Sequence, residues 1–160
     1  MNVAIVFAIV ILLLFALAYA TKRRFGVLGL ALAAGSMLSA LWAEKLTPIV
    51  QDAGLDLDNP PLITVVSVVL VLLPAVFLLF SGPSYHDMPR RILGALLFAS
   101  LAFALLIEPL GSALVLQGQG KQIYDFFAEN QVYIVTIGLV IAIIDLLSVH
   151  TSKAHKPAKH

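Results

Sequence analysis

An all-α integral membrane protein, a bundle of five transmembrane helices, is the fold class this sequence predicts, and three observations carry the prediction. Hydrophobic residues fill 61% of the 160 positions and charged residues only 12%, with a mean hydropathy of +1.01, an excess that a water-soluble core of this size could not hide. The apolar residues gather into five runs near the length of about 20 residues that a helix needs to cross hydrocarbon. The charges fall between those runs, and the basic clusters fall on alternate connections. The spans are expected at about 3–21, 25–43, 61–81, 91–109 and 132–149. They form one transmembrane domain over 1–149, followed by a disordered basic tail over 150–160.

Composition also removes whole classes of function. A net charge of +1, with no basic face interleaved with aromatic rings, gives nucleic acid nothing to bind. The absence of cysteine excludes disulfides, thiolate nucleophiles and Cys-based metal sites. The connections at roughly 44–60 and 110–131 are too short to hold an independent soluble core.

The first run, Val3 to Ala20, is uninterrupted. Ala18-Tyr19-Ala20 has the small-x-small form of a signal cleavage site, but the basic cluster follows the apolar core instead of preceding it, so the segment is expected to be retained. Lys22-Arg23-Arg24 then separates two membrane-length runs. Three cations cannot cross a bilayer cheaply, since each costs about 2.5 to 3.5 kcal/mol at mid-membrane on the mildest scale, and they therefore act as topology determinants.

The second run carries Gly26, Gly29, Ala33, Ser36, Ala40 and Ala43 at alternating spacings of three and four. That places all six on one helical face, a packing seam of the kind by which helices associate in lipid. Two readings of the seam stay open, a groove for a partner's helix and contact within the chain. Trp42 marks the membrane interface. Asn59-Pro60-Pro61 reads as the start of the third helix, with Asn59 as its cap, and Pro74 should kink that helix by removing a hydrogen bond to the carbonyl of Leu70.

The connection from Ser81 to Arg91 contains Ser84, His86 and Asp87, the residue types of a hydrolase triad, but too close in sequence for its geometry. The fourth run has a second small-residue face at Ala95, Ala99 and Ala102 and is expected to end at Glu108-Pro109. Ile123, Phe126 and Phe127 beside Asp125 and Glu129 predict a short surface helix between spans four and five. The fifth run holds one charge, Asp145, on the face of Gly138 and Ala142. An ion pair of Asp145 with Arg90 or Arg91 is expected, a relay of protons or cations through Asp145 being the alternative. The tail histidines at 150, 155 and 160 match no ligand spacing, and no metal or other cofactor is expected.

With the connector at 22–24 inside, eight of the ten cations lie on the cytoplasmic side: Lys22, Arg23, Arg24, Arg90, Arg91, Lys153, Lys156 and Lys159. The positive-inside rule then gives an outside amino terminus and a cytoplasmic carboxyl terminus.

The order of features resembles the bacterial colicin V production protein (CvpA) family. In that family a first membrane helix ends in a short basic Arg-Gly-Phe type connector, and a fourth helix opens with an Asp-Arg-x-Leu-Gly type motif. The matching stretches are Arg23-Arg24-Phe25-Gly26 and Arg90-Arg91-Ile92-Leu93-Gly94-Ala95, and the likeness covers roughly 1–110. Gly and Phe are transposed, Arg90 stands where the family often has Asp, and a fifth span replaces an amphipathic carboxyl-terminal segment. The resemblance implies a multi-pass protein of the bacterial inner (plasma) membrane, linked to toxin production or export or to envelope homeostasis, with no catalytic residues to carry over.

The function expected from the residues is a noncatalytic accessory or scaffold whose partners are the lipid bilayer and other membrane helices, in a homo-oligomer or with another protein, and not nucleic acid. The alternative is a small transporter or channel. That role needs polar groups converging near the midplane, for which Ser36, Ser39, Ser67, Ser100 and Thr136 are the candidates, each of which its own helix backbone could satisfy.

Overall fold

The computed structural model describes residues 3–55, 57, 60–80, 84–85, 87–114 and 118–154, with side chains described from 4 to 148. Five helices account for nearly all of them: α1 (Val3–Thr21), α2 (Phe25–Asp52), α3 (Leu62–Phe80), α4 (Met88–Ala113) and α5 (Gly118–Ala154). Each is long and apolar enough to cross a membrane. A helix is what such sequences must form in hydrocarbon, where every backbone N–H and C=O has to be satisfied within the segment. Leu12, Leu13, Phe77 and Phe80 are 63 to 80% exposed, which suits a surface solvated by lipid and would be a large liability in water.

Helix α4 occupies the centre. It touches all four other helices, which surround it in the order α1, α5, α2, α3, with a light contact between α3 and α1 closing the ring. Consecutive α1 and α2 do not pack on each other. The sequence of α4 explains its position, because Ala95, Ala99, Ala102 and Ala104 are fully buried small residues that admit neighbouring helices closely. Phe98 and Leu101 fill the space between them and meet Phe25, Leu28 and Leu32 of α2 in one core. A smaller cluster lies at the other end, where the Phe103 ring meets Phe7 edge-on at 5.3 Å and Phe127 at 4.7 Å.

Helix α1 has the expected bounds, and α3 is within a residue of them. Helices α2, α4 and α5 run past theirs, and three expectations are corrected. Helix α2 continues through Glu44 and Lys45 to Asp52, with Pro48 inside it. The Thr47 hydroxyl donates to Ala43 O at 2.7 Å, and the end is closed by the Ala53 and Gly54 N–H groups on Ile49 O and Gln51 O, Gly54 supplying the positive φ of 93° that such a stop needs. Helix α4 passes Pro109 to Ala113: the Ser112 hydroxyl bonds Pro109 O at 2.8 Å, and Gly111 lets the Tyr124 ring lie against the backbone.

The surface helix expected between spans four and five is the first third of α5. No proline or glycine interrupts 121–137, and Ile123, Tyr124 and Phe127 pack on the Phe7–Phe103–Ile107 cluster, so the apolar face continues into the span. At 1.5 Å per residue the 37-residue helix is about 55 Å long, well beyond a hydrocarbon core of about 30 Å. The tail is helical as far as Ala154, and 155–160, His86 and the proposed cap Asn59 lie outside the described residues.

Candidate functional site

The two ends of the bundle use polar groups differently. At the basic end, three helix termini meet the connector. Lys22 turns the chain with φ of 56°, its carbonyl accepts the Tyr85 N–H at 2.8 Å, and Arg23 pairs with Ser84 in an isolated antiparallel bridge. The Arg23 guanidinium donates to Leu79 O at 2.9 Å and Phe80 O at 3.0 Å, closing the carboxyl end of α3. Arg91 does the same for α1, donating to Tyr19 O at 2.6 Å while stacking 3.8 Å above the Tyr19 ring. The last carbonyls of a helix lack partners within it and carry partial negative charge, so a cation there satisfies both needs.

Asp145 supplies the opposite chemistry to the amino end of α2. Its Oδ2 accepts the Gly26 N–H at 2.9 Å, and its carboxylate lies beside the Tyr85 phenol. The Tyr85 oxygen in turn accepts the Phe25 N–H at 3.2 Å, and Arg24 lies 5.5 Å over the Tyr85 ring. Burial first, and then the neighbouring Asp145 charge, push the Tyr85 phenol up to about 12 against the opposing pull of the Phe25 N–H and Arg24. Two of the free N–H groups that open α2 are thus met by one carboxylate and one phenol from distant parts of the chain.

This arrangement differs from the expected ion pair. Arg91 is engaged with α1, and Arg90 lies 3.8 Å from Asp87 in an exposed pair. Among the described residues no ion pair within 4 Å joins Asp145 to either arginine, although Arg90 and Asp145 border a common cavity of about 320 Å³. Tyr85 is the residue that sequence reasoning missed. It lies in a short loop without periodicity, near the Arg90-Arg91 pair in sequence.

The small-residue seam divides. Gly26 and Gly29 face α5, where a Cβ on Gly26 would lie 2.5 Å from Ala142 O and one on Gly29 would lie 3.1 Å from the Ala142 Cβ. Gly35, one position off the seam, is where α2 crosses α3. A Cβ there would run into Val71 O and lie 3.0 Å from Leu70 O, the carbonyl whose helical partner Pro74 removes. Ser36, Ala40 and Ala43, farther along the seam, line a cavity instead.

That cavity, about 500 Å³, lies among α2, α3, α4 and α5. Its polar wall is Ser36 and Ser39 of α2, Thr64 and Ser67 of α3, Ser112 of α4 and Gln131 of α5, with Glu44 and Glu108 also lining it. The Ser36 hydroxyl donates to Ala33 O at 2.8 Å, and Ser112 donates to Pro109 O at 2.8 Å. With the Ser112 proton so directed, Thr64 is the donor in the 3.2 Å bond between the two hydroxyls. Gln131 donates its amide nitrogen to Ala104 O at 3.1 Å. Of the five hydroxyl residues singled out from the sequence, Ser36, Ser39 and Ser67 converge here, Ser100 borders a separate, largely apolar cavity of about 320 Å³, and Thr136 is exposed. Thr64, Ser112 and Gln131 carried no sequence signal.

Comparison with known proteins gives no matching family model, no matching curated protein and no matching solved structure. The chemistry of the two ends is therefore the basis on which function is read.

Proposed function

We propose that this multi-pass membrane protein is noncatalytic and binds a small polar solute in the cavity between α2, α3, α4 and α5, as a small transporter or channel would. The convergence of three hydroxyls from α2 and α3 with Thr64, Ser112 and Gln131 carries the reading. Polar groups gathered between membrane helices, with non-helical ends nearby, are the usual construction of a solute site in a bilayer. No histidine, lysine or cysteine lines the cavity, and the Ser36 and Ser112 protons point at backbone carbonyls, which supports binding over catalysis there. With eight of the ten cations on one side, the positive-inside rule supports a cytoplasmic basic end and a cavity toward the outside, in what the family resemblance suggests is a bacterial inner membrane. A thermal-shift screen of small polar solutes on the protein in nanodiscs tests this. Stabilising solutes are expected for the parent and not for Ser67→Leu, which fills the cavity, and a screen without any stabilising solute overturns the reading.

The accessory role is a second reading, favoured by one observation. Tyr133, Ile137, Val140, Ile144 and Leu147 form an exposed stripe along α5 at alternating spacings of four and three, the geometry of a helix that packs on another. The first part of the seam no longer argues for it, since Gly26 and Gly29 are spent inside the chain.

A further inference from the structure

We infer that the solute is a short alkyl primary amine, bound as its ammonium ion; this rests on the solute-binding reading and names its ligand class. The argument starts from where the hydrogens go. Ser36, Ser112 and Gln131 each direct a proton to a backbone carbonyl, and Thr64 directs its proton to Ser112. What Ser36, Thr64 and Ser112 leave for a ligand is oxygen lone pairs, and the Ser39 and Ser67 hydroxyls beside them can accept as well as donate. A wall of acceptors selects a ligand rich in donors, because a ligand that brought only acceptors would leave both sides unpaired.

Charge makes the same selection. Glu44 and Glu108 line the cavity and no lysine, arginine or histidine does. Among the described residues neither carboxylate is in an ion pair, and the adjacent Lys45 lies over the Trp42 ring, 5.6 Å from its centroid. The arginines of the described residues are all at the basic end, engaged with helix carbonyls, the Tyr85 ring or Asp87. An ammonium group, with three donors and one positive charge, meets both requirements.

Size and wall chemistry narrow the class further. About 500 Å³ suits a small organic molecule and is far more than a bare ion fills. Among the described residues no three His, Asp or Glu side chains gather to hold a metal ion. The lining has no aromatic ring, so a quaternary ammonium, which is recognised by ring faces, finds no cage. Ile63, Val71 and Leu105 complete the wall and suit methylene groups.

Calorimetric titration of the full chain in nanodiscs at constant ionic strength tests the inference, using 1,4-diaminobutane, 1,4-butanediol and tetramethylammonium as probes. Saturable binding of the diamine is expected, at least about tenfold tighter than either other probe, weakened about tenfold by the double variant Glu44→Gln/Glu108→Gln and abolished by Ser67→Leu. Circular dichroism of both variants checks that the helices persist. Diol binding as tight as diamine overturns the ligand class while the solute site stands. Equal binding of tetramethylammonium overturns the N–H donor requirement. Diamine binding unchanged in the carboxylate and Ser67 variants places it elsewhere and overturns the inference. Binding of none of the three by the parent, together with an empty thermal-shift screen, removes the solute-binding reading itself.

Discussion

Asp145 offers a direct test of how the bundle is held together, because the geometry assigns its carboxylate to the amino end of α2 and not to an arginine. Truncation in Asp145→Ala removes the acceptor for the Gly26 N–H at 2.9 Å and the negative charge beside the Tyr85 phenol. A hydrogen bond to a charged group contributes about 1.5 to 3 kcal/mol, and a carboxylate at a partly buried helix N-terminus up to about 2 kcal/mol, terms that overlap here. The expected loss is about 2 to 3 kcal/mol for Asp145→Ala and about 1 kcal/mol for Asp145→Asn, whose amide oxygen still accepts the Gly26 N–H. For a chain of this size each kcal/mol moves the midpoint by roughly 2 to 4 °C, so Asp145→Ala should melt about 5 to 10 °C below the parent. Thermal unfolding in detergent micelles followed by circular dichroism measures it. Arg90→Ala is the control: its exposed pair with Asp87 is worth about 0 to 1 kcal/mol, so it should melt close to the parent. Equal damage from Arg90→Ala and Asp145→Ala would refute the capping account and favour an ion pair, and a parent-like Asp145→Ala would refute any stabilising role for the carboxylate.

Two further outcomes follow from the packing of the bundle. Gly35→Ala should destabilise by about 2 kcal/mol or more in the same melting assay, since its Cβ meets the Val71 carbonyl, which cannot rotate away, whereas Gly138→Ala should cost less than about 1 kcal/mol because it meets the flexible Leu101 Cδ1 at 3.1 Å. The Tyr85 phenol is raised from 10.0 to about 12, so the fold favours its neutral form; that contribution is complete below pH 10 and disappears as pH rises through about 12. The melting temperature of the parent should therefore fall more steeply than that of Tyr85→Phe between pH 10 and 12, and parallel curves would show that Tyr85 does not stabilise the basic end.

The parts of this fold legible in the sequence are those that hydropathy reports. The bounds of α1, the location of α3 with Pro74 inside it, and the buried face at Ala95, Ala99 and Ala102 all follow from runs and spacings. The helix ends did not follow, because hydropathy senses depth in the membrane and not backbone hydrogen bonding. Glu44 and Lys45 read as the start of a loop, yet α2 continues beneath them to Asp52. Pro109 read as a stop, yet α4 continues past it to Ala113, where Ser112 donates to Pro109 O and Tyr124 seats closely on Gly111. At the candidate site, the serines of α2 were visible as polar residues on an apolar helix. Their convergence with Thr64, Ser112 and Gln131 depends on the rotation of three other helices about α4, which no local pattern encodes. Likewise the charge and face of Asp145 were legible, but its partner depended on which helix terminus the fold brings beside it.

Along α2 the two kinds of polar chemistry meet on one helix. Its first turn is fixed by Asp145 and Tyr85, and its middle is pinned where Gly35 lies against the Val71 and Leu70 carbonyls of α3. Below that crossing Phe25, Leu28 and Leu32 are fully buried, and the polar atoms around them are met by partners: arginines on carbonyl ends, a carboxylate on amide hydrogens. Above it, from Ser36 to Glu44, the helix turns hydroxyl and carboxylate oxygens toward open space. Buried polar groups in a bilayer are expensive unless paired, and the Glu44 and Glu108 carboxylates are exposed, so water or the donor groups of the proposed solute can pair them. At the basic end the Asp145 carboxylate and the Arg23 and Arg91 guanidinium groups already have partners within the chain. Gly35 thus divides α2 into a stretch packed in the main core and a stretch that lines the cavity, with Val71 shared between the crossing and the cavity wall.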